Sequence, residues 1–287
     1  MAEGTFLVDA SSDLEVSLIH GALLLVAVLV AKQLEQIASA LFEARPGAPP
    51  SSAKLALGKL PLGSDLDRVA LVRGGVPALA ELVRERAFIE GWLKQDEKGL
   101  AVGAAVPGEA SLSTALRAAL PFARASEADL ERASRAVAAK YHAESALVLE
   151  SAGLLPGAVQ RAAGLVAYAL PAVGVLVLGF LRAMRAVELG SSTAPALAQL
   201  FLSALVLAFF ARGRRQTQAG ERYIAWLREA TDALREDLTS GSLTRREDFL
   251  LLIAVHGAAG LDSGDRARTA DRFSTTSEQN EGGGGTG

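Results

Sequence analysis

The residue types that most often do chemistry in proteins are sparse in this chain. His142 and Glu144 have the H-x-E spacing of zinc deaminases, in which a histidine and two cysteines bind Zn²⁺ and the glutamate transfers protons. The chain has no cysteine, so the other ligands of such a site are missing. Paired acids occur in segments typical of turns or exposed helices, where we expect them to be solvated. They are Asp65/Asp67, Asp96/Glu97 and Glu236/Asp237.

The sequence also lacks the common motifs of catalytic sites. The chain contains no GxSxG, GxxxxGK or HExxH pattern, which would indicate a nucleophile, a phosphate loop or a zinc site. His20 and His256 lie in apolar runs, where we expect them to be packed and not to bind a metal. The sequence therefore predicts no enzyme and no catalytic, cofactor-binding or metal-binding site.

The elements that dominate the sequence are apolar. Half of the residues are hydrophobic, the mean hydropathy is +0.27 and the formal charge is −3. Residues 162–181 carry no charge and match the roughly 20 residues that cross a bilayer. The alternative is a helix at the centre of a soluble fold, because any other soluble helix shows polar residues on its outward face. We predict a transmembrane helix over 161–181 with a modest kink at Pro171.

Two further apolar runs predict two further spans. Residues 193–211 follow closely and should return across the membrane as an antiparallel partner of the first span. Residues 14–34, with the core "VSLIHGALLLVAVLVA", are the third candidate. A cleaved signal peptide is the alternative for this run, but acids and no bases precede it, the reverse of a signal peptide. We predict a retained anchor.

Basic residues beside the spans predict the orientation, because they are retained on the cytoplasmic side. The segment between the first two predicted spans and the segment after the third carry slightly more of them than the other side. We expect a multi-pass protein of the bacterial inner (plasma) membrane. Residues 1–13 would lie outside the cytoplasm, and the C-terminus would lie in it.

The long segment between the first two spans predicts a small domain. A breaker-rich linker over 35–63 precedes a domain over 64–160, in which a helix, the pair Gly74–Gly75, a second helix and a hairpin around "QDEKG" follow one another. This order is typical of a winged-helix unit. DNA binding is not expected, because the second helix mixes acids with arginines and has no basic stripe. We predict a packing or protein-binding domain and no nucleic-acid partner. A later helix should be capped by Ser126 and Asp129.

The segment after the third span predicts further helices. Residues 212–261 should form amphipathic helices, with an apolar stripe from Tyr223 to Leu238 and a capping box of Thr244 and Glu247. Residues 262–287, which end in "EGGGGTG", predict a disordered Gly-rich tail.

Three stretches carry a resemblance to a known family. They are "LDRVALVRGGVPALAELVRERAFIEGWL", "ARGRRQTQAGERYIAWLRE" and "IAVHGAAGL". In these stretches, and in the order of its spans, the chain resembles a family of uncharacterised bacterial multi-span membrane proteins. That family has a cytoplasmic segment between spans 1 and 2 and a glycine-rich, often Gly/Cys-rich, C-terminus. The tail of this chain is glycine-rich without cysteine. The resemblance implies a fold and a location but no reaction.

The sequence thus predicts a mainly α integral membrane protein. It would have three transmembrane helices and a small helical, winged-helix-like cytoplasmic domain. The expected role is a membrane-anchored scaffold whose partners are the bilayer and a cytoplasmic protein. The alternative is a small transporter or a transport or secretion accessory subunit, although ionisable groups at depth are missing. Small residues could also allow homo-oligomers to form; they are Ala163, Ala167, Gly174 and Gly179.

Overall fold

The structure, a computed structural model, is mainly helical. It describes residues 13–43, 55, 57–96, 99–103, 112–121, 123–188, 194–210, 216–265, 268–269 and 272–273. The elements are, in chain order, α1 (Asp13–Glu43), α2 (Asp65–Ile89), β1 (Leu93–Asp96), β2 (Gly99–Val102), α3 (Leu112–Ala119), β3 (Ala123–Ala125), α4 (Glu127–Ser151), α5 (Ala158–Glu188), α6 (Ala194–Phe210), α7 (Gln218–Ala230), α8 (Asp232–Ser240), α9 (Arg246–His256) and the 3₁₀ turn η1 (Ala258–Gly260).

The chain divides into two compact units. The first comprises residues 1–47 and 156–214, and its described part consists of α1, α5 and α6. The second comprises residues 48–155 and 215–287 and holds all the other elements. Each unit therefore contains chain from two separate parts of the sequence.

Within the first unit, α1 and α6 both pack against α5. The residues of α5 that these contacts bury are Ala167, Val175, Gly179 and Ala183, and their spacing by multiples of four places them on one helical face. Of the small residues expected to permit self-association, Ala167 and Gly179 are buried within the single chain, Ala163 is half-buried and Gly174 is exposed. Two of the four are therefore not available to a second copy.

One helix in the described part of the chain is long and apolar enough to cross a membrane. It is the stretch Ala158–Arg185 of α5, and the whole of α5, at 31 residues, is about 46 Å long against about 30 Å of bilayer hydrocarbon. A helix at the centre of a soluble fold is mostly buried, whereas 19% of the apolar window of α5 is buried. α1 contains the shorter apolar stretch Gly21–Leu34, and α6 has 17 residues.

In the second unit, α2 is two helical segments joined by a break. Gly74 (φ −153°, ψ 15°) and Gly75 (φ 68°, ψ −150°) are not helical, and Pro77 follows at the start of the second segment. A positive φ is accessible to glycine without steric cost. The prediction of two helices separated by this glycine pair is confirmed.

The small sheet has one strand more than expected. β1 and β2 pair antiparallel, with Leu93 opposite Val102, which confirms the predicted hairpin, although Glu97 and Lys98 of its turn lie outside the described residues. β3 pairs antiparallel with the other edge of β2 and gives the order β1-β2-β3. Its three residues, Ala123–Ala125, contain no β-branched or aromatic residue, so their sequence does not indicate a strand.

The predicted helix caps have different outcomes. Ser126 caps α4, accepts a hydrogen bond from the Asp129 backbone N–H at 3.1 Å, and completes a capping box with the Asp129 side chain. These bonds lower the pKa of Asp129, because the Ser126 hydroxyl and backbone N–H both donate to its carboxylate. The box expected at Thr244 and Glu247 is wrong, because α9 begins one residue later, after Arg245, without a side-chain cap.

Two predicted boundaries are also wrong. α1 continues through Glu43, so the first part of the expected linker over 35–63 is helical. The expected disordered tail from residue 262 is ordered at least in part, because Thr269 and Phe273 are buried. Arg246 donates a hydrogen bond to the Phe273 carbonyl at 2.7 Å, and the Phe249 and Phe273 rings are in contact. Residues 1–12, 44–54 and 274–287 lie outside the described residues.

A candidate binding cleft in the second unit

A cleft of about 670 Å³ lies between α2, α3, α4 and α9 of the second unit. This volume is in the range of small-molecule and peptide-side-chain pockets. Its lining combines charged and apolar side chains. The lining residues are Gly63, Ser64, Leu66, Asp67, Arg86, Glu90, Leu112, Ala115, Val137, Lys140, Tyr141, Glu144, Glu247 and Leu250.

A buried ion pair lies in the wall of the cleft. Arg86 Nη2 donates to Asp67 Oδ1 at 2.8 Å, and the side chains are 10% and 6% exposed. In one straight helix these residues would lie about 28 Å apart along the axis. The Gly74–Gly75 break therefore allows the second half of α2 to fold back against the first. The expectation that Asp65 and Asp67 are solvated is wrong: both are buried, and Asp65 pairs with Arg68 at 3.2 Å.

The environment of Asp67 affects its protonation. Burial raises its pKa above 3.8, because desolvation disfavours the carboxylate more than Arg86 and Arg68 favour it. An acid whose pKa is higher in the folded state contributes stability below its unfolded pKa and loses that contribution as the pH rises through its folded value. At neutral pH the burial of the ionised Asp67 therefore lowers the free energy of unfolding, and the attraction between Asp67 and Arg86 offsets part of this loss.

The mouth of the cleft is acidic. Glu144 and Glu247 are exposed, Glu90 is half-buried, and Lys140 is the exposed base. Since Asp67 and Arg86 cancel, the charged groups that line the cleft carry a net negative charge. Glu90 also accepts a hydrogen bond from the Trp92 indole N–H at 3.0 Å.

A second polar network closes the break in α2. Arg73 donates to Glu81 at 2.6 Å and to the Ile253 carbonyl at 2.9 Å, and Glu81 accepts from the Ala258 backbone N–H at 2.9 Å. Gln216 donates to the carbonyls of Val72 and Arg73, the latter at 2.6 Å. These bonds satisfy carbonyls that the break leaves without helical partners. The hydrogen bonds of this network also join α2 to residues that are distant in the sequence, from Gln216 before α7 to Ala258 after α9.

The chain that leads into α5 is bonded to the chain that follows α6. The Thr217 hydroxyl donates to the Gly153 carbonyl at 2.5 Å, and the Thr217 backbone N–H donates to the Leu154 carbonyl at 3.4 Å. Gly220 packs directly on the same carbonyl, since a Cβ there would lie 2.4 Å from Leu154 O. The two sequence segments of the second unit are thus held together next to the points where they join α5 and α6.

The remaining residues considered for chemistry are not brought together. His142 is half-buried on α4, and His256 Nε2 lies 3.0 Å from the Thr231 hydroxyl. Burial and the charges of Arg235 and Arg228 lower the pKa of His256. No group of three or more His, Cys, Asp or Glu side chains that could hold a metal ion occurs among the described residues. Glu236 and Asp237 are exposed, whereas Glu97 and the side chains of His20 and Asp96 lie outside the described set.

Sequence reasoning did not identify the cleft. Its residues come from four helices and the adjoining chain between positions 63 and 250, and local periodicity does not report contacts between residues so far apart. One signal was present: Asp67 lies in the helix predicted before the glycine pair, and Arg86 lies in the helix predicted after it. This placement is compatible with a helical hairpin that brings opposite charges together.

Comparison with protein-family models, with curated protein sequences and with solved structures finds no match to this chain.

Proposed function

We propose that the protein is a membrane-anchored scaffold, in which α1, α5 and α6 cross a bacterial inner membrane and the second unit recruits a protein partner on the cytoplasmic side. The observation that carries the proposal is that two separate segments of the sequence build the second unit. Its two sequence segments flank α5 and α6 and form one core, so they must lie on the same side of any membrane. Buried residues from both segments share that core, for example Leu79, Leu82, Leu227 and Phe249.

This arrangement restricts how α5 can cross. If α5 crossed alone, residues 48–155 and 215–287 would be on opposite sides of the bilayer, and their common core could not form. α5 and α6 therefore cross together or not at all. Because α5 is long and apolar enough to span, the restriction supports a transmembrane hairpin of α5 and α6. The 17 residues of α6 reach the lower end of the lengths that span a bilayer, about 17–25 residues.

The distribution of apolar surface supports the same proposal. Nearly all of the large apolar side chains that the described residues expose lie on α1, α5 and α6, among them Leu25, Leu29, Val173, Phe180 and Phe201. In contrast, the residues buried in this unit are mostly small, such as Ala31, Ala167 and Ser203, and Val28 and Val175 are the larger ones among those described. Small residues inside and large apolar residues outside are typical of helices packed in lipid.

A transport role receives less support. Transport sites need ionisable groups or broken helices at membrane depth, and Ser203 is the one polar side chain of the first unit that is buried among those described. The helical break found in the described residues, Gly74–Gly75 of α2, lies in the second unit. The proposal therefore has three parts that agree with one another. The protein is a scaffold, its second unit is winged-helix-like and has no nucleic-acid partner, and the chain belongs to the bacterial membrane family that its sequence resembles.

Single-cysteine labelling tests the crossing, and the cysteine-free chain needs no background substitutions. Three exposed alanines are suitable: Ala143 on α4, Ala225 on α7 and Ala194 at the start of α6. In bacterial cells, a membrane-impermeant maleimide is expected to label Ala194→Cys from outside. The same reagent should label Ala143→Cys and Ala225→Cys only in inside-out vesicles, which expose the cytoplasmic side of the membrane to the reagent. Detergent-permeabilised membranes, in which all three must react, provide the control.

Two results would contradict the proposal. Labelling of all three cysteines from one side would mean that α5 and α6 do not cross. A purified chain that stays monodisperse in buffer without detergent would exclude the membrane anchor altogether, because exposed apolar faces of this kind aggregate in water.

A further inference from the structure

We propose that the cleft between α2, α3, α4 and α9 binds an amphipathic helical segment of a partner protein that carries lysine or arginine beside its apolar face. The proposal rests on the scaffold function, since it names the chemistry of the partner that the second unit recruits. Three features of the described residues carry it: the apolar lining, the exposed apolar residues close in sequence to that lining, and the acidic charge.

The apolar lining provides a surface for large side chains. Leu66, Leu112, Ala115, Val137 and Leu250 line the cleft on four different helices. An amphipathic helix inserts residues at positions i, i+3, i+4 and i+7 into a groove of this kind. Their burial would supply most of the binding free energy, because binding removes apolar surface of both partners from water.

Large exposed apolar residues also occur close in sequence to the residues that line the cleft. Leu57, Leu60 and Leu62 are exposed on the segment that leads directly to the lining residue Gly63. Leu147 is 75% exposed and lies one helical turn after the lining residue Glu144 on α4. These four are the large apolar residues that the second unit exposes within its described part. Exposed apolar residues on the chain segments that line a cleft favour an interaction site there.

Two kinds of occupant have an apolar face: a lipid surface and an amphipathic helix. The charge of the cleft distinguishes between them. Glu90, Glu144 and Glu247 outnumber Lys140 at the mouth. An anionic lipid surface would be repelled by these acids, whereas lysine or arginine beside an apolar helical face would be attracted. The ion pair of Asp67 and Arg86 cannot reverse this preference, because its charges cancel.

Peptide binding to the full chain in nanodiscs of zwitterionic lipid tests the proposal. The probe is a fluorescein-labelled helix of leucine and lysine, about five turns long, and its leucine–glutamate counterpart tests the sign of the charge. The double variant Glu144→Lys/Glu247→Lys is expected to weaken binding of the lysine peptide about tenfold. Leu147→Ser, at an exposed position, should weaken it about fivefold by removing apolar contact. The leucine–glutamate peptide should bind more weakly than the lysine peptide.

A matched control separates the cleft from the general charge of the protein. Glu229→Lys/Glu236→Lys makes the same change in net charge at exposed positions on α7 and α8 and should leave binding unchanged. Equal losses in both double variants, or equal binding of the two peptides, would overturn the proposal. So would no binding above that of empty nanodiscs. Failure of the membrane anchor is detected separately, because the chain would then not enter the nanodiscs.

Discussion

Arg86→Met is expected to destabilise the second unit by about 3–5 kcal/mol, because it leaves the Asp67 carboxylate buried without a counter-charge beside it. Asp67 is 4% exposed, and Arg86 donates the hydrogen bond that its side chain accepts. The double replacement Asp67→Leu/Arg86→Met is expected to be near neutral or stabilising. Apolar side chains of similar volume remove both desolvation penalties together.

Tryptophan fluorescence measures this effect in the intact chain. The two tryptophans, Trp92 and Trp226, both lie in the second unit, so a urea titration in mild detergent follows that unit without a signal from α1, α5 or α6. Arg222→Met, the same chemical change at an exposed position on α7, is the control and should shift stability by less than about 0.5 kcal/mol. The interpretation fails if the double variant is as unstable as Arg86→Met.

The pH dependence provides an independent check on the same pair. Because burial raises the pKa of Asp67 above 3.8, its ionisation lowers the stability of the wild type as the pH rises through the folded pKa. Asp67→Leu/Arg86→Met lacks this ionisation. The difference in unfolding free energy between the double variant and the wild type should therefore grow, in favour of the double variant, from acidic to neutral pH.

The sequence predicts the elements whose causes are local. The glycine pair at 74 and 75 interrupts α2, the hairpin follows from alternation around its turn, and Ser126 with Asp129 caps α4 through bonds that span three residues. These features depend on short-range backbone geometry. The Thr244 and Glu247 pair matches the same capping pattern, yet α9 begins after Arg245 without a side-chain cap, so the local pattern alone does not fix the start of a helix whose residues Phe249 and Leu252 are buried in the core.

The sequence does not predict features that depend on distant residues. β3 is a strand because β2 offers an open edge, and Phe273 is buried because Phe249 and Arg246 contact it. Asp65 and Asp67 resemble surface acids until the second half of α2 and α4 cover them. The cleft shares this limitation, since its lining residues come from helices that lie far apart in the sequence.

The association of the two sequence segments of the second unit is the feature on which the membrane proposal depends, and Gly220 tests it. At an exposed helical position, replacement of glycine by alanine stabilises by about 1 kcal/mol. In α7 the opposite is expected. A Cβ on Gly220 would lie 2.4 Å from the Leu154 carbonyl oxygen, and Leu154 is itself held by its N–H bond to the Leu149 carbonyl at 3.0 Å.

Gly220→Ala should therefore destabilise the second unit by about 2–3 kcal/mol, because the start of α7 must move away from the chain that precedes α5. The displacement would also stretch the Thr217 bond to Gly153. Trp226 lies on α7, so the urea titration used for Arg86→Met reports the change directly. Glu221→Ala, at the next and exposed position, should change stability by less than about 0.5 kcal/mol. A Gly220→Ala variant as stable as the wild type would mean that the segments before α5 and after α6 are not packed as described. The requirement that α5 and α6 cross the membrane together would then depend on the core shared by α2, α7 and α9 alone.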